Sequence, residues 1–238
     1  MRTPSRRSVL RITTAATTAG LLSFTNTSAQ EPRGALTQQI RDAFTPAQIL
    51  QKAKDGNRRY LEGREIHWDF RAEQHATAAH QYPAAVVLCC IDSRVPAEII
   101  FNLGIGDIFN CRIAGNIENA DVLGSLEFAT KLEGAKLVLV MGHSGCGAVK
   151  GAISDAKLGN LTQLLAKIQP AIKAAAYTGK RTADNPAFVD AVVRKNIELT
   201  IANIRRKSAV IAELERSGAV KIVGAFDDLA TGAVEFMG

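Results

Sequence analysis

The chain has 238 residues, room for one large α/β domain or at most two small ones. Its hydrophobic share of 47% is ordinary for a globular protein, and no run of about 18 uncharged apolar residues marks a membrane span. The formal charge of +6 invites a nucleic-acid reading, but Arg2, Arg6, Arg7 and Arg11 lie in an acid-free leader, and the remainder carries 25 basic against 23 acidic residues. Basicity confined to a leader is no nucleic-acid footprint, so that class is set aside.

The leader carries Ser5-Arg6-Arg7-Ser8-Val9-Leu10 and then a mildly apolar run from Ile12 to Phe24. It ends on the small residues Thr27-Ser28-Ala29, which suit a signal peptidase. The pattern is that of a twin-arginine export signal over residues 1–29, cleaved after Ala29. The expected product is periplasmic, without stable membrane insertion once the signal is removed. Residues 30–44 are expected to form a linker, and residues 45–238 a single domain.

Thr45-Pro46 reads as a helix cap and first helical position, with Ile49, Leu50, Ala53, Tyr60 and Leu61 marking a helix to about residue 61. A second helix is expected over about 70–80, before Pro83. The apolar run Ala84 to Cys89 then reads as a strand buried on both faces. Further strands are expected at 107–113, 135–141 and 219–226, with an antiparallel edge strand at 233–237. Helices are expected between them at about 122–132, 148–156, 161–177, 186–206 and 208–217. Such alternation predicts an α/β fold: a mostly parallel central sheet of four strands plus a C-terminal edge strand, flanked by helices.

In an open parallel sheet, ligands gather beyond the carboxyl ends of strands. Cys90-Ile91-Asp92-Ser93-Arg94 directly follows the first strand, and His143-Ser144-Gly145-Cys146-Gly147 directly follows the third. Two thiols and an imidazole at strand ends suit zinc, and three protein ligands leave a fourth position open. Two other readings remain at this point. The glycines of 142–151 could cradle an anion at a helix start, or the cysteines could be simple buried hydrophobes. Cys89 and Cys111 are expected as free buried thiols, with a bridge between them left open.

Cys-x-Asp-Ser-Arg followed some fifty residues later by His-Ser-x-Cys-Gly resembles the β-class carbonic anhydrases. The similarity extends to Gly56-Asn57-Arg58-Arg59, Val95-Pro96-Ala97-Glu98, Arg112-Ile113-Ala114-Gly115-Asn116, and Ile222 to Asp227 with Thr231-Gly232. The resemblance implies reversible hydration of carbon dioxide to bicarbonate, with one zinc ion per chain held by Cys90, His143 and Cys146. It implies that the Asp92–Arg94 pair orients a zinc-bound hydroxide, and that activity rises with pH above neutrality. It places Gln81, Phe109 and Phe128 in the substrate pocket, Phe128 standing where many relatives have Tyr. It makes Asp92 a fourth zinc ligand only in a closed resting state. The closed kind is associated with a bicarbonate pocket of Trp, Arg and Tyr. Here Arg112 matches the Arg, but Val87 and Phe226 replace the other two, so the open form is expected. A homodimer or a dimer of dimers is also implied. The alternative activity on the same scaffold acts on carbon disulfide or carbonyl sulfide.

Overall fold

The computed structural model describes residues 34–237, so the expected export signal lies outside the described residues. In chain order the elements begin with α1 (Gln38–Ala43), α2 (Pro46–Leu61), α3 (Phe70–Thr77), β1 (Ala85–Cys89), α4 (Ala97–Ile100) and β2 (Ile108–Arg112). They continue with α5 (Ala120–Glu127), β3 (Leu137–His143), α6 (Gly147–Ile153), α7 (Gly159–Ala166) and α8 (Gln169–Ala174). The last are α9 (Pro186–Lys207), α10 (Ala209–Arg216), β4 (Lys221–Asp227) and β5 (Val234–Met237).

The sheet runs β2-β1-β3-β4-β5, with β1, β2, β3 and β4 parallel and β5 antiparallel against β4. This is the expected architecture. β1 and β3 are buried along their whole length, as their unbroken apolar runs require of strands covered on both faces. On one face α9 lays Val189, Val193 and Ile197 against the sheet, each essentially inaccessible to solvent. On the other face α2 contributes Ile49, Leu50 and Ala53.

Local chemistry explains most boundaries. Thr45 caps α2 reciprocally: its hydroxyl accepts from the Gln48 amide at 3.2 Å, and its own amide donates to Gln48 Oε1 at 2.8 Å. Within α2, Gly56 lies so close to α4 that a Cβ there would stand 1.8 Å from the carbonyl oxygen of Phe101. The next residue, buried Asn57, uses that approach. Its amide donates to the carbonyls of Ile100 and Gly232, and its Oδ1 accepts from the Val234 amide at 3.0 Å. One side chain thus joins α2, α4 and the β4–β5 turn.

Three expectations are revised. The stretch expected as linker contains α1, capped by Thr37, and Arg41 on it is buried with its guanidinium on the carbonyl of Glu133. The single helix expected over 161–177 is two, α7 and α8. Pro170 has no N–H to give to the carbonyl four residues back, and the chain breaks at 167–168. The helix expected at 122–132 begins at Ala120, because Asn119 Oδ1 accepts from the Val122 amide at 2.8 Å, and it widens into a π turn over Phe128–Leu132. None of the described helices is long and apolar enough to cross a membrane.

Candidate metal centre

From β1 the chain moves to β2 on one side and then returns to β3 on the other, so the strand order reverses at the β1–β3 junction. Adjacent crossovers there leave in opposite directions, and a crevice opens beyond the carboxyl ends. Cys90 is the first residue after β1, His143 is the last residue of β3, and Cys146 precedes the first turn of α6. The register Cys89↔Met141 brings these ends level. The Cys90 and Cys146 sulfurs and a His143 ring nitrogen all lie within 4.8 Å of one another, on residues at most 4% exposed.

The imidazole is set up as a ligand. His143 Nδ1 lies 3.0 Å from the carbonyl oxygen of Ser144, a contact that requires the proton on Nδ1 and leaves a lone pair on Nε2. Nε2 is buried and has no hydrogen-bond partner within the protein. A buried acceptor without a partner costs free energy unless something fills its place, and here it faces two sulfurs. The Ser144 loop is itself tied down. Its amide donates to the Asp227 carbonyl at 2.8 Å, and its hydroxyl accepts from the Leu229 amide at 2.9 Å.

The thiols are polarised in opposite senses. Hydrogen bonding from Cys146 holds Cys90 well below the usual thiol range against burial, with help from the Gly115 and Asp92 amides. Cys146 is pushed up by the same bond and by burial. For His143, burial lowers the pKa but the interaction with Cys90 outweighs it, and the net direction is upward. The cluster therefore retains protons that a divalent cation would displace, which is how thiolate sites bind metal. Two sulfurs, one imidazole nitrogen and no further His or Cys in the cluster make a donor set that suits zinc with an open position.

Beside it, Arg94 grips Asp92 with both arms of its fork, Nε to Oδ1 at 2.9 Å and Nη2 to Oδ2 at 2.8 Å, while the Arg94 amide also donates to Oδ1. These bonds hold the Asp92 carboxyl far below the ordinary carboxylate range, so it is ionised at any working pH. Asp92 Oδ2 sits 3.8 Å from His143 Nε2, next to the donors but not among them. Arg112 fixes the turn that carries both residues, donating to the backbone carbonyls of Cys90 and Asp92.

Of the expected pocket residues, Gln81 lies at the end of β1 away from the donors. Gln81 is exposed and precedes β1, so the strand's length, about 17 Å, separates its end of the sheet from Cys90. Phe109 on β2 pairs with Val86 on β1 and meets Phe128 edge-on, ring centroids 6.1 Å apart. Cys89 and Cys111 are free thiols. Cys111 pairs with Leu88 rather than Cys89, so the two sulfurs face opposite sides of the sheet, and burial pushes Cys89 up to about 12. A cavity of about 430 Å³ between α1, α2 and the sheet, lined by Leu36, Phe44, Trp68, Val87 and Leu139, does not reach the donors. Val87 is thus spoken for, and Phe226 lies under the Arg194 guanidinium at 4.0 Å.

Two neighbours of the centre had no assigned role in the sequence. Asp227 is the register partner of His143 on β4, 1% exposed, with one carboxylate oxygen unpartnered. Burial pushes its carboxyl up to about 6 against the attraction of His143. Gly115 donates its amide to Cys90 Sγ at 3.3 Å. Both stood inside segments noted for resemblance, but only the fold shows what they touch.

Comparison with known proteins agrees with this geometry. A family model described as carbonic anhydrase matches residues 85–234. Carbonic anhydrase 2 of Mycobacterium tuberculosis (strain ATCC 25618 / H37Rv) is 36% identical over 185 residues, covering 75% of this chain and 86% of the relative. A carbonic anhydrase of Mycolicibacterium smegmatis is 34% identical over 196 residues, covering 80% and 92%. Among solved structures, a tetrameric β-carbonic anhydrase of Sordaria macrospora superposes with a TM-score of 0.60 at 24% identity, covering 70% of this chain and 89% of that one. The Coccomyxa β-carbonic anhydrase, solved with acetazolamide, gives 0.61 at 22% identity, covering 79% and 81%. With the sequence match spanning both cysteine motifs and the fold that of β-class structures, the chain belongs to the carbonic anhydrase family and is a carbonic anhydrase.

Proposed function

We propose that Cys90, His143 and Cys146 hold a single zinc ion and that the chain hydrates carbon dioxide reversibly to bicarbonate, with Asp92 and Arg94 as its catalytic pair. The observation that carries this is the His143 Nε2 atom, buried without a protein partner and turned toward two cysteine sulfurs at the sheet's switch point. Zinc bound there would supply a Lewis acid that lowers the pKa of water, less strongly than at an all-histidine site because two thiolates cancel its charge.

The rest of the chemistry belongs to the chain. Asp92, kept ionised by Arg94, has lone pairs left on Oδ2 after that fork is satisfied. It accepts a hydrogen bond from the water-derived nucleophile and so turns the attacking lone pair toward carbon dioxide. The Arg112 clamp on the Cys90 and Asp92 carbonyls keeps ligand and carboxylate in a fixed relation. Because Arg94 holds the Asp92 carboxylate at both oxygens, the open form is favoured over one in which Asp92 joins the ligands. Carbon dioxide carries no charge, so the half-buried Asp92 does not repel it, and the anionic product is repelled.

Gln81 precedes β1, at the end of the strand away from Cys90, so it would line this pocket from a second copy of the chain, with Phe109 and Phe128 as further lining residues. A homodimer or dimer of dimers is therefore part of the proposal. So is export by the twin-arginine route to the periplasm, which carries folded chains and would let both thiolates meet metal before an oxidising compartment.

Stopped-flow hydration of carbon dioxide by the mature protein, run beside carbon disulfide hydrolysis, separates the two substrate readings. Hydration is expected to dominate and to rise with pH above neutrality. Carbon disulfide turnover with little hydration would overturn the substrate assignment.

A further inference from the structure

The mechanism leaves unused a buried polar stripe on α9. Asn196 and Thr200, one helical turn apart, are 3% and 2% exposed in a helix face otherwise built of Val189, Val193, Ile197 and Ile204. A buried polar side chain in such a face needs a partner. Both partners are backbone carbonyls of the short turn over residues 114–116. Asn196 Nδ2 donates to the Gly115 carbonyl at 2.8 Å, and Thr200 Oγ1 donates to the Asn116 carbonyl at 3.3 Å.

That turn is conformationally unusual. Gly115 has φ 69° and Asn116 has φ 43°, two successive residues in the left-handed region, which glycine enters freely and asparagine tolerates better than most side chains. A Cβ on Gly115 would stand 2.8 Å from Ile168 Cδ1 and 3.3 Å from the Cβ of Ala148, so the turn is also wedged against its neighbours. Its product is one contact: the Gly115 amide donates to Cys90 Sγ at 3.3 Å. The Gly115 carbonyl and amide lie in adjacent peptide planes joined at its Cα, so anchoring the carbonyl limits the freedom of the turn to carry the N–H away from Cys90.

We infer that Asn196 is a positioning residue for the metal centre, which through Gly115 keeps an N–H on the Cys90 sulfur and thereby sets how strongly that thiolate donates to the metal. An N–H···S bond draws electron density from the sulfur and fixes its direction, the part that partners behind the ligands play in metal sites. The inference rests on the proposal that Cys90 is a metal ligand.

The test uses cobalt(II) in place of zinc, because thiolate-to-cobalt charge transfer reports sulfur donor strength without any turnover. The unaltered protein must first bind one equivalent of cobalt with such a band. Failure at that stage would overturn the metal-site proposal itself, separately from the role of Asn196. Asn196→Leu removes the donor at similar size, and Asn196→Ala serves if leucine does not fit. Either is expected to shift the charge-transfer band to lower energy and to weaken cobalt affinity about tenfold in competition with a chromophoric chelator. Thr200→Val, which leaves the Gly115 tie intact, is expected to leave the band in place. Asn196 variants that fold with reduced thermal stability but keep the original band and affinity would overturn the inference, since a purely structural role predicts that result.

Discussion

The Cys146→Ser protein is expected to lose carbon dioxide hydration on the order of 10³-fold, together with most of its bound zinc, while keeping its circular dichroism spectrum. Cys146 is 1% exposed and lies at the start of α6, so serine fits the same space and the fold has no steric reason to change. What changes is the donor. A serine hydroxyl does not ionise near neutrality, and it binds zinc far more weakly than a thiolate. The remaining pair, Cys90 and His143, would leave two coordination positions to solvent and make a much weaker site. Metal analysis beside stopped-flow rates checks both halves. Full zinc content with full activity in this variant would remove Cys146 from the ligand set.

The second large effect belongs to Asp92→Asn. Zinc content is expected to stay at the unaltered level, because the three-donor cluster does not include residue 92. The turnover number is expected to fall about 10²- to 10³-fold, the range associated with removing one aligned polar partner from a reacting centre. The side-chain shape is kept, but the charge that Arg94 pairs with is lost. The carboxamide also presents an N–H₂ group where an ionised oxygen had accepted a hydrogen bond. Because Arg94 keeps the native carboxylate ionised well below the working range, the rise of activity with pH expected of the unaltered protein is assigned to a group other than Asp92. The residual activity of the asparagine variant should therefore retain that rise. A variant that loses zinc in proportion to activity would make Asp92 a structural support for the site rather than a participant.

The centre was legible in the sequence to an unusual degree because its chemistry is concentrated at two strand ends. Cys90 directly follows one continuous apolar run and His143 closes another, and residues placed there face the crevice in any sheet of this topology. Asp92 and Arg94 were readable for the same reason, being two residues apart in a single turn. The supporting layer was not. Asn196 reaches Gly115 across 81 positions of sequence, and an asparagine within a helical pattern has no feature that tells a loop anchor from a surface residue. Asp227 lay just past the strand expected at 219–226, whereas the fold places it, buried, beside His143. The pocket residues show a different gap. Gln81, Phe109 and Phe128 were identified by resemblance, which carries positions along a chain but does not say what they face in the fold.

Thr45 and Pro46 announced the start of α2, whereas the expected bounds 122–132 and 161–177 passed over the cap at Asn119 and the break before Pro170. For α1 the Thr37 cap alone announced nothing, and tertiary contact decided. α1 exists within the expected linker because Arg41 is drawn onto the Glu133 carbonyl and Lys136 donates to the carbonyls of Asp42 and Phe44. No periodicity in six residues could have announced it.

The central claim, that this cluster holds the zinc on which hydration depends, is tested most directly on a single sample of the unaltered mature protein. Its hydration rate at alkaline pH would be measured as purified, after removal of metal by a chelator, and after return of one equivalent of zinc. The account predicts loss of nearly all activity in the second state and its recovery in the third, with one zinc per chain. Hydration that persists at full rate in the metal-stripped, folded protein would contradict it.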